Sequence, residues 1–396
     1  MKVGSDAAPA GVVRSHALGR PRDPIEGHYD PSAGSLLDWD WPQGLVPGNA
    51  DPGNRNRRDG APSPRFIRGA RKGKTAYPAP HKEYGRRSVG YATDENGYNP
   101  PMSPPRSHDR YPYSPIGERP LYDWPSGRRL AVYVALNLEW FSFGEGLGAE
   151  LVPAAHQPDV LNYTWRDYGN RVGAFRLAEL FAELKLPVSL LVNADMYAHA
   201  PQAVAAFAGA EIVGHGRSNS ERQGTLSEDD ERALIAQTTA AIEKHSGERP
   251  RGWLGPWISQ SHVTPDLLQE AGYTYLLDLC HDDQPTWMKT RQGRILSVPY
   301  PQELNDIPQI VARKREGAEF ADTIEDAFDV LHVESARRPL VIGIALHAYI
   351  VGQPHRFKHL KRALNHIVRR ADERVWFATS GAIAAHAAAL PEGTVP

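Results

Sequence analysis

The sequence predicts an α/β protein: a distorted (β/α) barrel of seven or eight units behind a long, mostly disordered N-terminal extension. Three observations carry this. From Trp124 onward short apolar runs alternate with stretches of helical periodicity, polar residues gather where those runs end, and the first hundred residues have little to bury. The expected division is an extension over 1–111 and a barrel over 112–396.

The extension comes first. Residues 1–120 hold 18 of the 34 prolines and carry 18 Lys+Arg against 13 Asp+Glu, which leaves 27 against 34 for the rest. Proline removes amide donors and interrupts helices, and residues 51–90, with 11 basic and 3 acidic side chains, contain almost no apolar run. Such a basic arm reads as a solvated tail. The sharper alternatives are a polyanion contact or an arm laid across the acidic body of its own chain. Nucleic acid is not expected as a partner.

The barrel elements follow in order. Residues 129–137 (RLAVYVALN) suit a buried strand, and 168–186 show helical spacing. Further strands are predicted at 188–193, 211–216, 273–279, 294–300, 340–349 and 375–381, each a short apolar run closing on polar residues or glycine. Ser227, with Asp230 three residues on, caps a helix that runs to Gly247, and Thr264-Pro265 opens one that stops at Gly272. Asn137, Glu139, Asn193, Asp195, His215, Asp278, the 303–306 segment and His347 all fall at or just after strand ends. In a parallel barrel those ends converge on one face, where catalysis occurs. The 143–168 loop, with glycines at 144 and 148, offers hinges for a lid or contacts for a homo-oligomer.

Composition narrows the chemistry. No run approaches a membrane span and the start has no signal-like apolar stretch, so a cytoplasmic protein is expected. Cys280 is the single cysteine, which excludes intrachain disulfides and cysteine cages and leaves His, Asp, Glu or Asn for any metal. A dinucleotide glycine fingerprint and a P-loop lysine are both absent.

Glu139, His215 and His347 are the candidate catalytic set. A carboxylate after the first strand can take a proton from water or ligate a divalent metal, and His347 is placed to protonate a leaving group or brace a metal ligand. Amide hydrolysis needs such parts: an activated water, oxyanion stabilisation and a proton for the departing nitrogen. The bland alternatives are a Glu139–Arg217 ion pair and satisfied core histidines. Asp283, Asn305 and Asp306, in DDQPTW and VPYPQELNDIP, are candidate substrate-binding groups or structural loop residues. Trp140, Trp257 and Tyr300 are candidate binding aromatics that stack on sugars or planar heterocycles, or simply pack.

NLEWF (137–141), IVGHGRSNS (212–220), GWLGPW (252–257), DDQPTW (282–287), VPYPQELND (298–306) and ALHAY (345–349) occur in an order that resembles the polysaccharide deacetylase (NodB homology) superfamily over about residues 112–392. The resemblance implies a (β/α) barrel that hydrolyses non-peptide C–N bonds, typically sugar N-acetyl groups with a bound metal. The chain departs from that pattern in three places. Leu138-Glu139 replaces the paired aspartates, Asn219 replaces the second ligand histidine, and Leu254-Gly255 precede Pro256 where an arginine is usual. A metal on Glu139, His215 and Asn219 would be weakly held, since a neutral amide is a poorer ligand than imidazole. These departures are similar to the branch of cofactor-independent allantoinases and related cyclic-amide hydrolases. That resemblance implies no cofactor, a small cyclic amide, imide or ureide as substrate, Glu139 and His215 as acid-base and oxyanion groups, His347 as acid, and Asp283 and Asn305 as binding groups. Its competitors are a zinc-dependent N-deacetylase of sugars or peptidoglycan fragments and an inactive barrel that binds carbohydrate or protein.

Overall fold

The computed structural model describes residues 108–144, 148–154 and 156–396. The expectations for the arm up to residue 107, and part of the expected 143–168 hinge loop, lie outside the described residues. One sheet contains β1 (Leu130–Leu138), β2 (Val188–Val192), β3 (Glu211–Gly214), β4 (Gly252–Trp253), β5 (Tyr275–Leu276), β6 (Thr286–Thr290), β7 (Gly293–Ser297), β8 (Leu340–His347) and β9 (Val375–Phe377). The order is β6-β7-β5-β4-β3-β2-β1-β8, with β9 also paired to the first residues of β1. Every pairing is parallel except the β6–β7 hairpin.

Among the described residues no strand ladder forms between β8 and the hairpin, and irregular segments stitch the seam. The Val341 backbone amide donates to the Asp283 carbonyl at 2.8 Å, the Gln284 side-chain Nε2 to the Pro339 carbonyl at 2.7 Å, and Asn305 bridges Ala345. This seam is the distortion of the barrel.

The two central strands are buried at every position, as a sheet covered on both faces requires. Their alternation sorts the core. Leu130, Val132, Val134, Leu136 and Leu138 face the surrounding helices with Leu340, Ile342, Ile344 and Leu346. Ala131, Tyr133 and Ala135 point inward with Val341 and Ala345. Burial of each such leucine or isoleucine contributes about 1.5–3 kcal/mol. Gly343 lies opposite Tyr133 in the β1–β8 register, and a Cβ there would sit 2.6 Å from the Tyr133 ring. The same inward parity brings Asn137 and Glu139 to the top of the barrel, with His347 directly beside Asn137.

The expected Ser227 cap is present: its hydroxyl accepts from the Asp230 amide, and the helix Glu228–Ser246 ends at Gly247 with φ 79°. The first helix starts earlier than the periodicity suggested. Val160–Tyr168 is already helical because Asp159 caps it through the Asn162 amide, and a π-turn at Gly169–Gly173 leads into Ala174–Leu184. Arg110 binds both carboxylate oxygens of Asp266 at 2.7 Å, and Arg119 binds Asp282 at 2.8 and 2.6 Å, which ties the segment before β1 to the barrel wall. Among the described residues no helix is long and apolar enough to cross a membrane.

Candidate active site

A cavity of about 110 Å³ opens at the C-terminal ends of the strands, lined by Asn137, Glu139, His215, Asn219, Trp257 and Tyr300 and also by Asn305, His347 and Tyr349. Glu139 stands at its centre. Its Oε1 faces the Asn219 amide nitrogen at 2.5 Å, His215 Nε2 at 3.3 Å and His347 Nε2 at 3.5 Å, whereas Oε2 has no hydrogen-bond partner.

Asp306 sits behind His347. Its Oδ1 meets His347 Nδ1 at 2.6 Å and its Oδ2 accepts from the His347 backbone amide at 2.8 Å. Both imidazole nitrogens therefore face carboxylates. Burial alone would lower the His347 pKa, but Asp306 and Glu139 outweigh it and hold the ring protonated up to about 10. Burial likewise opposes ionisation of Glu139, and the His347 cation with the surrounding hydrogen bonds overrides it, bringing Glu139 down to about 2. The ground state is a carboxylate beside an imidazolium.

An asparagine clasp fixes the other side. Asn193 Oδ1 accepts from the Trp140 backbone amide at 2.8 Å, so its nitrogen must point the other way, to the His215 carbonyl and, at 3.0 Å, to Asn219 Oδ1. A backbone N–H can only donate, which settles both side-chain amide orientations: Asn219 turns its nitrogen, not its oxygen, toward Glu139. His215 Nδ1 donates to the Leu254 carbonyl at 2.8 Å and leaves Nε2 for Glu139. Trp257 forms the wall with φ +64°, its indole donating to the Asn219 carbonyl at 2.9 Å, and Ile258 follows at φ +53°. Left-handed backbone at two consecutive non-glycine residues is costly and is held by its surroundings.

The structure brings Glu139, His215, His347, Asn219, Asn305, Trp257 and Tyr300 to one cavity. Asp306, expected as a substrate-binding group, touches His347 and is not among the lining residues, so it braces that ring from behind and does not face the cavity. Trp140 stacks on His199, with ring centroids 4.1 Å apart, outside the cavity. Asp283 is also elsewhere: its carbonyl meets Val341 near the start of β8, because the chain after β5 passes down the side of the barrel into the hairpin. Two cavity residues carry weight that sequence did not assign. Asn137 gives its amide hydrogens to the Tyr300 hydroxyl and the Leu346 carbonyl and keeps an unpartnered Oδ1; the Tyr349 hydroxyl lies beside Glu139, and burial and then that carboxylate push its pKa up. The i, i+2 spacing of Asn137 to Glu139 is the signal that locates the first.

Comparison with known proteins agrees with this geometry. No family model matches the chain. A Schizosaccharomyces pombe protein described as a polysaccharide deacetylase is 28% identical over 293 residues, spanning 66% of this chain and 91% of its own. A crystal structure described as a probable polysaccharide deacetylase from Pseudomonas aeruginosa PAO1 superposes with a TM-score of 0.60 at 27% identity, and that of PuuE allantoinase with 0.60 at 28%. Each covers 70% of this chain and 97% of its own. In sequence and fold the chain resembles the polysaccharide deacetylase (NodB homology) superfamily with its allantoinase-like relatives.

The protein is a hydrolase of carbon–nitrogen amide bonds. The donor set of this site does not fit the divalent metal that the resemblance to sugar deacetylases implies. Asn219 turns an N–H to the cavity, its oxygen being held by Asn193, and Glu139 Oε1 is already ringed by three nitrogens. Among the described residues no cluster of three His, Cys, Asp or Glu side chains has metal-holding geometry. One carboxylate already balanced by an imidazolium is a poor anchor for zinc.

Proposed function

We propose that the protein hydrolyses a small cyclic amide, imide or ureide, allantoinase-like, using its own side chains and no metal. The observation that carries this reading is the asymmetry of Glu139. Oε1 is surrounded by Asn219, His215 and His347, while Oε2 lacks a partner and is the atom left to take a proton from water. Cavity size supports it, since drug-sized ligands fill pockets of about 300–1,000 Å³ and this one measures about 110 Å³. The unpartnered Asn137 Oδ1 is an acceptor that an N–H group of such a ring would satisfy, leaving Glu139 Oε2 to the water.

The proton inventory closes. Water adds its oxygen to the ring carbonyl carbon as Glu139 Oε2 takes its proton. His347 gives its Nε2 proton to the ring nitrogen as the C–N bond breaks. Loss of that cation removes what depresses Glu139, which becomes more basic and returns the proton to His347, 3.5 Å away. One water is consumed, and a carboxylic acid and an N–H are formed.

A second reading, N-deacetylation of sugars with a metal, is favoured by what the S. pombe and P. aeruginosa relatives are called. It would require Asn219 to reverse its amide against the Asn193 bond. Ring opening of cyclic ureides and imides by purified protein, lowered about 10³-fold or more in Glu139→Gln, tests the first reading. Absence of ring opening in the wild type, with acetate released from N-acetyl sugars, would replace it with the second.

A further inference from the structure

Asp278, just after β5, is buried and touches neither substrate space nor any catalytic side chain directly. Its Oδ1 accepts from the Gly255 amide at 2.7 Å and its Oδ2 from the Gln260 side chain at 2.6 Å. Gly255 N–H belongs to the same peptide unit as the Leu254 carbonyl, and that carbonyl is the partner of His215 Nδ1 at 2.8 Å. Carboxylate, peptide and imidazole thus form one line of hydrogen bonds ending at the cavity.

We infer that Asp278 is a positioning residue that acts on His215 through the 254–255 peptide, fixing the Nδ1–H form of the ring so that Nε2 is the nitrogen presented to Glu139. A carboxylate on the N–H side of a peptide polarises it and makes its carbonyl a stronger acceptor. The stronger acceptor holds a donor on Nδ1, and an imidazole held there turns Nε2 to Glu139 Oε1 in a fixed orientation. The arrangement parallels Asp306 and His347 with a peptide interposed. It also explains why an ionisable group lies beneath the strained Trp257–Ile258 wall: Asp278 clamps both Gly255 and Gln260, the two flanks of that turn. Burial pushes Asp278 up to about 6, the cost of keeping a carboxylate here.

The inference rests on the proposed use of Glu139 as the base, whose Oε1 His215 Nε2 faces, but not on the substrate, so kinetics are read on whichever C–N substrate the wild type turns over. Protein labelled with ¹³C and ¹⁵N at histidine reports the His215 tautomer. The wild type is expected to carry a proton on Nδ1, and a ring with a bare Nδ1 and its proton on Nε2 would overturn the inference before any variant is made. In Asp278→Leu the Nε2–H form should become populated, with kcat falling on the order of 10- to 100-fold and KM changing by less than about threefold. Asp278→Asn, whose amide oxygen still accepts from Gly255, should restore the tautomer and most of kcat. An Asp278→Leu protein that melts cooperatively yet keeps the Nδ1–H form and wild-type kcat overturns it, as does a loss confined to KM. If that variant does not fold, Asp278→Ser is read by the same two outcomes. A wild type that releases acetate from sugars and opens no ring refutes the substrate reading alone.

Discussion

Replacing Asp306 by asparagine keeps a hydrogen-bond acceptor against His347 Nδ1 and removes the buried charge that holds the ring protonated. The rise of the His347 pKa from an ordinary 6.5 to about 10 corresponds to a preference for the imidazolium on the order of 5 kcal/mol. Asp306 leads the groups that raise it, ahead of Glu139. At least half of the preference, roughly 2–3 kcal/mol, should vanish with the charge, which moves the pKa down by about 2. The active form carries a protonated His347, so activity is retained below that pKa and lost as pH rises through it. The assay is kcat/KM against pH, which reports the free enzyme. The wild type should hold activity to pH 9 or above, about where the ring titrates, and Asp306→Asn should lose it near pH 8. An alkaline limb that stays in place while kcat/KM drops uniformly would refute the assignment of Asp306 as the group that keeps the acid charged.

Asn219→His should create the ligand that the asparagine lacks: about one zinc per chain by elemental analysis after dialysis, against less than roughly a tenth for the wild type. Gly343→Ala drives a methyl to within 2.6 Å of the Tyr133 ring and should cost about 1–3 kcal/mol in urea unfolding; a wild-type midpoint would show that the barrel interior yields there. Stability against pH should separate three groups by sign. Glu139, lowered from 4.5 to about 2, lends stability that is full above 4.5 and is lost as pH falls toward 2. His347, raised, lends stability that is full below 6.5 and is lost as pH rises through about 10. Asp278, raised from 3.8 to about 6, is a carboxylate that costs stability as pH climbs through that interval, at most about 3 kcal/mol. Asp278→Asn should accordingly be more stable than wild type at pH 8 and not at pH 4, and equal midpoints at both would contradict the buried-charge assignment.

Much of this architecture was legible from local patterning. LAVYVALN, after Arg129, and LVIGIALH have no charged or amide side chain until their final positions, which marks strands covered on both faces and identifies Asn137, Glu139 and His347 as the first such side chains beyond the core. Ser227 and Gly247 delimit a helix because caps are local chemistry. What escaped depends on chain direction and on long-range contacts. The antiparallel β6 was missed, and with it the descent of the chain that carries Asp283 away from the cavity. Strand β4 has two residues, too few for periodicity. Asp306 reads as a binding group in sequence, and only its two bonds to His347, 41 residues on, reveal its function. The orientation of Asn219 is set by Asn193 and ultimately by one backbone amide at Trp140, a chain of partners that no motif records.

The most direct test of the central claim is to measure, on one preparation purified without added metal, metal content together with the opening of cyclic ureides and imides before and after chelation. The account predicts substoichiometric metal and ring opening that survives the chelator at its original rate. Stoichiometric zinc, with acetate release from N-acetyl sugars that the chelator abolishes, would contradict it.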